Sequence, residues 1–195
     1  MIEPRRVAAI VLAAGLSRRF GYDNKLLQPL GTKTVVATTV AALMVAGADP
    51  IIVVTGHDAA AIATAVDGFG TRCIHNPNFA DGMGGSIAVG ARELTNDNIA
   101  GAIIALGDMP YVKAETIAAL IDALDAPDDI IVPTMDGRPG NPVLFGGKYL
   151  ASLAACSGDV GAKAVLLQAA DALKTIETGD PNIFQDIDRP EDLSD

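Results

Sequence analysis

A chain of 195 residues suits one α/β domain with a real core, here residues 1–195 as a single unit, and leaves little room for two. Half of the residues are hydrophobic but only 4% are aromatic, with no Trp, which excludes a disordered chain and argues against a base-stacking binder of single strands. The formal net charge of −10 disfavours nucleic acid and anionic membranes as partners.

The amino-terminal end departs from that balance. Up to position 25, five basic residues (Arg5, Arg6, Arg18, Arg19, Lys25) stand against two acidic ones (Glu3, Asp23). A locally cationic end on an acidic protein suits a small polyanion better than a polymer. The apolar stretch after Arg5-Arg6 is short and Arg18-Arg19 follow at once, unlike a secretory leader. No run approaches the ~18 apolar residues that cross a bilayer. A cytoplasmic protein without a membrane partner is expected. Cys73 and Cys156 show no metal spacing and read as reduced, structural residues.

In chain order, short apolar runs alternate with Ala-rich amphipathic stretches. Strands are expected at Val7–Leu12, Ile51–Thr55, Ala102–Leu106 and Ile130–Pro133, continuous rather than alternating, as strands buried on both faces are. Helices are expected at Thr34–Ala46, Ala59–Val66, Ser86–Glu93 and Ala114–Leu124, with a further strand around Arg72–Ile74. The last third is less regular: strands at Pro142–Phe145 and Leu173–Glu177, helices at Lys148–Ala155 and Ala162–Ala169. Repeated strand–helix units imply right-handed crossovers, hence an α/β fold of three layers, a mostly parallel twisted sheet with helices on both faces. Ligands of such sheets bind outside the carboxyl ends of the strands.

The segment Leu12-Ala13-Ala14-Gly15-Leu16-Ser17-Arg18-Arg19-Phe20-Gly21 leaves the first strand as a small, basic loop. Small residues let backbone N–H groups approach a phosphate. Arg19 offers a planar fork and Lys25, ten residues beyond Gly15, a mobile point charge. Rival motifs fail: Ser17 stands where a dinucleotide fingerprint needs its second glycine, and no Gly-Lys-Ser/Thr or nucleophile elbow is present. An ordinary strand-to-helix turn with a surface Arg pair is the bland alternative.

This loop, L-A-A-G-x-S-R-R-F-G-x-x-x-K, resembles the signature of the nucleotidyltransferases of molybdenum cofactor biosynthesis, in particular the cytidylyltransferases. The resemblance implies a Rossmann-like nucleotidyltransferase fold, and a triphosphate held along Leu12, Ala13, Ala14, Gly15, Ser17, Arg18 and Arg19. Lys25 would neutralise charge as the new bond forms. Arg18 lies where the wider superfamily varies. Gly107-Asp108-Met109-Pro110 closes a buried strand with an acid; by residue type it is a metal ligand or a helix cap, and it is similar to the family's metal motif. Asp186-Ile187-Asp188-Arg189-Pro190-Glu191-Asp192-Leu193 is similar to the family's terminal motif, which implies Asp188 as second ligand of Mg²⁺. Its rival is a solvated acidic tail, although Ile187 between two acids favours a short strand that holds one of them inward.

Weaker likenesses follow. Asn76–Ser86 resembles a family stretch beside the nucleotide, making Gly82, Met83 and Ser86 candidate base or ribose contacts. Gly137–Phe145 is similar to a segment expected near the acceptor, with Arg138 and Asn141 as candidates. Gly158–Lys163 resembles a third, with Lys163 where Arg is commoner. His57 and His75 carry no partner spacing. The resemblance runs from Val7 to Leu193 and implies transfer of CMP from CTP to molybdopterin, with a molybdoenzyme or its chaperone as downstream partner. Two rivals remain at this stage: a transferase acting on a sugar, polyol or amino-alcohol phosphate, and a non-catalytic nucleotide or cofactor chaperone.

Overall fold

The computed structural model describes residues 6–17, 20, 24–94, 98–159, 161–169 and 173–193. In chain order the elements are β1 (Val7–Ala13), a hairpin of β2 (Pro29–Leu30) and β3 (Lys33–Thr34), α1 (Val35–Val45), β4 (Ile51–Thr55), α2 (Ala59–Ala65) and β5 (Arg72–His75). There follow α3 (Met83–Arg92), β6 (Gly101–Leu106), α4 (Ala114–Asp122), β7 (Ile130–Met135), β8 (Arg138–Pro139) and β9 (Val143–Gly146). The described chain closes its secondary structure with α5 (Leu150–Ala154), α6 (Lys163–Gln168) and β10 (Leu173–Glu177).

The sheet runs in the order β10-β7-β9-β6-β1-β4-β5, with β8 paired to β7. β1 lies parallel to both β4 and β6, in the registers Val11↔Val53 and Val11↔Ala105. Being central, β1 is covered on both faces, so its continuous apolar run divides by the pleat. Val7, Ala9, Val11 and Ala13 join the core beneath α1, α2 and α4. Ala8 and Ile10 join the core beneath α3, α5 and α6. Three layers result, as expected. Full burial of side chains such as Ile10, Leu43 and Phe145 contributes about 1.5–3 kcal/mol each.

Besides the short β8, antiparallel to β7, one strand inside the sheet breaks the parallel pattern. β9 is wedged antiparallel between β6 and β7, so β6 and β7 remain parallel to each other across it. The carboxyl ends of β1, β4, β5, β6 and β7 and the amino end of β9 therefore share one edge. Sequence pattern marks β9 as a strand but carries no sign of its direction, since a fully buried strand reads the same both ways. The two-residue strands of the β2–β3 hairpin are too short for any periodicity and were not expected. Helix α3 starts earlier than Ser86, at Met83, from a Gly82 cap whose φ of 114° only glycine adopts readily. No helix among the described residues is long and apolar enough to cross a membrane.

Candidate active site

Beyond β1 the chain stays extended and then reverses at Ser17, whose left-handed backbone has φ 49°. That conformation is unfavourable for a residue with a Cβ, and the Ser17 hydroxyl offsets it with two bonds. It donates to Asn24 Oδ1 at 3.3 Å and accepts the Lys25 N–H at 3.2 Å. Asn24, 5% exposed, also accepts the Leu26 N–H on Oδ1 at 3.0 Å, which starts the turn Lys25–Leu27. From that turn the Lys25 ammonium reaches Asp108 Oδ2 at 2.7 Å and Asp188 Oδ1 at 3.1 Å.

Asp108 follows the carboxyl end of β6. Gly107 donates its N–H to Leu12 O at 3.0 Å, and its own carbonyl accepts the Thr39 hydroxyl at 3.2 Å. A Cβ at position 107 would sit 2.9 Å from Leu12 O, so glycine is needed where the two strand ends touch. Asp108 caps no helix, because α4 begins at Ala114 with Lys113 at its cap. The helix-cap alternative therefore falls away.

The second acid arrives on a strap, residues 180–193. Ile187 is fully buried and donates its N–H to Asp108 O at 2.8 Å. Its neighbours Asp186 and Asp188 are thereby set on either side of Asp108. The expected short strand is absent: the segment is extended but pairs with no ladder, because its contact is a single backbone bond plus the buried Ile187 side chain. Asp192 braces the far side, Oδ2 accepting the N–H groups of Asp188 at 2.9 Å and Arg189 at 2.8 Å. Asp180, 1% exposed, anchors the start by accepting from Lys113 N at 3.0 Å and the Thr116 hydroxyl at 2.8 Å.

Burial pulls the Lys25 amine toward the neutral form, but Asp108 and then Asp188 outweigh it, and its pKa lies above the usual lysine value. Burial pushes the Asp108 carboxyl up; Lys25 pulls it down, the charge of Asp186 pushes it up again, and the net direction is up. One ammonium thus leaves the cost of burying Asp108 incompletely offset. Magnesium takes one or two carboxylates, keeps several waters and completes its shell with phosphates. Asp108 and Asp188, converging on one cation, are an oxygen set of that type. Among the described residues no group of three or more His, Cys, Asp or Glu forms a metal cage.

Two clefts meet at Asp108. One, of about 310 Å³, is lined by Gly15, Leu16, Ser17, Phe20, Lys25, Asp108 and Asp188. The other, of about 420 Å³, takes in Leu12, Ala14, Gly15, Phe79, Gly82, Met83, Ser86, Asp108 and Asp186. Both are in the size range of small-ligand sites. Among the expected residues, Leu12, Ala14, Gly15, Ser17, Lys25, Gly82, Met83, Ser86, Asp108 and Asp188 are thus brought together. Ala13 turns its side chain into the core and Gly107 lies beneath the site. Arg18 and Arg19 fall outside the described residues.

Ser86 is 4% exposed and accepts from Asn76 Nδ2 at 3.0 Å. Gly82 is pressed against the Gly158 turn, where a Cβ would lie 2.5 Å from Gly158 C, so the Gly158–Lys163 segment touches the Asn76–Ser86 segment. Arg138, Asn141 and Lys163 line neither cleft. Arg138 lies over the Phe184 ring at 4.6 Å, Asn141 donates its N–H to Ile183 O at 2.9 Å, and Lys163 opens α6. Sequence reasoning missed Asn24, Asp58, Asp186 and Phe79 as site residues. His57 does have a partner, Asp58 Oδ2 at 3.2 Å.

The chain matches the MobA-like NTP transferase domain over residues 9–173. It belongs to that family. As a MobA-like NTP transferase the chain is a nucleotidyltransferase, and solved relatives share the fold. A nucleotidyl transferase from Methanothermobacter thermautotroptrophicus is 25% identical, with a TM-score of 0.82 over 97% of this chain and 94% of that one. Rv0371c from Mycobacterium tuberculosis is 27% identical, with a TM-score of 0.82 over 96% and 95%; a further structure of that protein is a complex with manganese. The nicotine blue oxidoreductase of Paenarthrobacter nicotinovorans is 27% identical over 96% of this chain and 94% of its own length.

Proposed function

We propose that the chain transfers CMP from CTP to the terminal phosphate of molybdopterin, giving the cytosine dinucleotide form of the cofactor and pyrophosphate. One observation carries the reading: the Lys25 ammonium stands between Asp108 and Asp188 where two clefts meet. A nucleoside triphosphate with its base and ribose in the larger cleft would bring its α-phosphate to that point, where an acceptor entering through the smaller cleft would have its reacting atom alongside. The acceptor phosphate oxygen attacks the α-phosphorus, a new P–O bond forms, and the bond to the β-phosphate bridge breaks with its electron pair leaving on pyrophosphate.

Positioning and neutralisation of oxygen charge supply most of the rate in such chemistry. The backbone of residues 12–17, together with Arg18 and Arg19, would cradle the triphosphate, and Gly82, Met83 and Ser86 would face base and ribose. Magnesium, held by Asp108 and Asp188, would supply charge neutralisation on the phosphate oxygens when bound. Lys25 would then turn its ammonium from the carboxylates to the reacting phosphate. Arg138, Asn141 and Lys163, which line neither cleft, would meet the acceptor only where it extends beyond them. Support for CTP comes from Ala14, since the guanylyl-transferring relatives of the family resemblance carry glycine there.

Pyrophosphate release tests the reading, with CTP, GTP, ATP and UTP each offered with and without molybdopterin. Release that needs both CTP and molybdopterin is expected. Release with a sugar, polyol or amino-alcohol phosphate instead would move the acceptor to that class. Nucleotide binding without release under any combination would overturn the reading in favour of a carrier.

A further inference from the structure

Lys25 is placed by a hydrogen-bonded brace that none of its own contacts explains. Asn24 is the hub. Its Oδ1 collects the Leu26 N–H at 3.0 Å and the Ser17 hydroxyl at 3.3 Å, and its backbone carbonyl accepts Gln28 Nε2 at 3.3 Å. The remaining side-chain group, Nδ2, donates to Asp58 Oδ2 at 3.3 Å. Asp58 belongs to a distant stretch of the chain, 34 residues on. It stands at the head of α2 in a left-handed conformation, φ 54°, and pairs with Gly56 through an isolated bridge. A Cβ on Gly56 would lie 2.8 Å from Ala14 O, so this turn is packed directly against the start of the loop.

An Asn at the head of a short turn needs only its Oδ1 for that role. Here the amide nitrogen is also committed, and in a side chain that is almost wholly buried. A buried amide oriented at both ends has one rotamer and one flip state, so the turn that carries Lys25 is fixed relative to the turn after β4.

We infer that Asn24 and Asp58 are positioning residues for Lys25: their hydrogen bond fixes the Lys25–Leu27 turn so that the Lys25 ammonium arrives between Asp108 and Asp188. The inference rests on the proposed function only for the consequence in turnover; the placement itself is measurable without substrate. Asn24→Asp keeps the acceptor for Leu26 and Ser17 but replaces the donor to Asp58 with a like charge. Combining it with Asp58→Asn restores a hydrogen bond in the opposite sense, amide at 58 to carboxylate at 24.

Competitive acylation of lysines in the substrate-free protein, read residue by residue by mass spectrometry, gives the reactivity of Lys25 against exposed Lys33. In the wild type Lys25 reacts the more slowly. N24D is expected to raise the Lys25:Lys33 ratio about tenfold, the scale of one lost hydrogen bond to a charged group, and N24D/D58N to bring it back toward wild type. Turnover should fall and recover in parallel, with the Kd for CTP within about twofold throughout. An unchanged ratio in N24D, or a raised ratio that the double variant leaves raised, overturns the inference. A wild type that releases no pyrophosphate would sink the proposed function and leave the labelling result standing.

Discussion

The loop after β1 and the strap after β10 bring opposite charges to Asp108 by opposite means. The loop holds its cation with polar side chains: Ser17 and Asn24 bond each other and the turn that carries Lys25. The strap holds its acids with apolar burial: Ile187 is driven into the core and its N–H pins the chain to Asp108 O. Directional bonds set a side chain finely but are worth about 1 kcal/mol each. A buried Ile is worth more and is less exact about direction. The difference suits the two jobs. Under the proposed function, an ammonium that shifts from carboxylate to phosphate would benefit from a defined starting point, whereas a carboxylate ligand would need a firm anchor.

Removing the meeting point should have the largest effect, because both regions lose their common partner. Asp108→Asn is expected to lower turnover by about a thousandfold or more, the scale on which a transition-state charge contact acts. Thermal denaturation near neutral pH should show no loss of stability. The neutral amide relieves the burial cost of the Asp108 charge and loses its pairing with the Lys25 ammonium, which Asp188 still partners, so the two effects offset. Activity near that of the wild type would remove Asp108 from the reaction.

Ile187→Ala comes next and separates the two regions. Truncating a fully buried Ile costs about 2–5 kcal/mol, measurable as a shift in denaturant midpoint at constant m-value. The strap should loosen with it. Protection of a trace-labelled Lys25 would change little, because Ser17, Asn24 and Asp108 remain, while divalent-ion affinity should fall with Asp188 displaced. Equal weakening at both ends would mean that loop and strap form one cooperative unit.

The contrast also accounts for what was legible in the sequence. Residues placed by apolar burial announce themselves: Val7–Leu12, Ile51–Thr55 and Ala102–Leu106 are read as strands within a residue of their ends, whereas Asp186–Asp188, read as a short strand holding an acid inward, buries its Ile187 instead and forms no strand. Residues placed by hydrogen bonds do not. Asn24 and Asp58 lie 34 residues apart, and nothing in either residue's surroundings predicts an amide–carboxylate bond between them. Asp108 was legible through its strand end and its family likeness. Asp186 was not, because choosing between two acids flanking one Ile requires knowing which backbone group is pinned. The direction of β9 stayed hidden for a related reason, since burial is blind to polarity of the chain.

pH sharpens the electrostatic half of the comparison. The Asp108 carboxyl lies above the usual aspartate range through burial, and Lys25 holds it down from a still higher value. In metal-free Lys25→Met the Asp108 carboxyl should therefore titrate at higher pH than in the wild type, followed by its side-chain ¹³C shift. The wild-type Lys25 pKa is raised, so the stability it lends is present below the ordinary lysine value and lost as pH rises through the raised one. The alkaline arm of the stability curve should accordingly flatten in Lys25→Met. A downward move of Asp108 would show that Lys25 does not neutralise it.

The smallest effect is expected at Arg138, which reaches the strap from β8. The guanidinium carbon lies 4.6 Å from the Phe184 ring centroid, within cation–π range. Arg138→Gln loses the stack, worth about 0.5–1 kcal/mol at an exposed position, and so should lower the melting temperature by only about 1–4 °C. If the N–H edge meets an acceptor phosphate, KM for the acceptor rises about tenfold with the Kd for CTP unchanged. Arg138→Lys keeps the charge but neither the fork nor the planar stack, and should recover only part of that loss. Were the residue no more than a strap for Phe184, both substitutions would lower kcat slightly and leave KM alone, and the acceptor would have to be sought nearer Lys163.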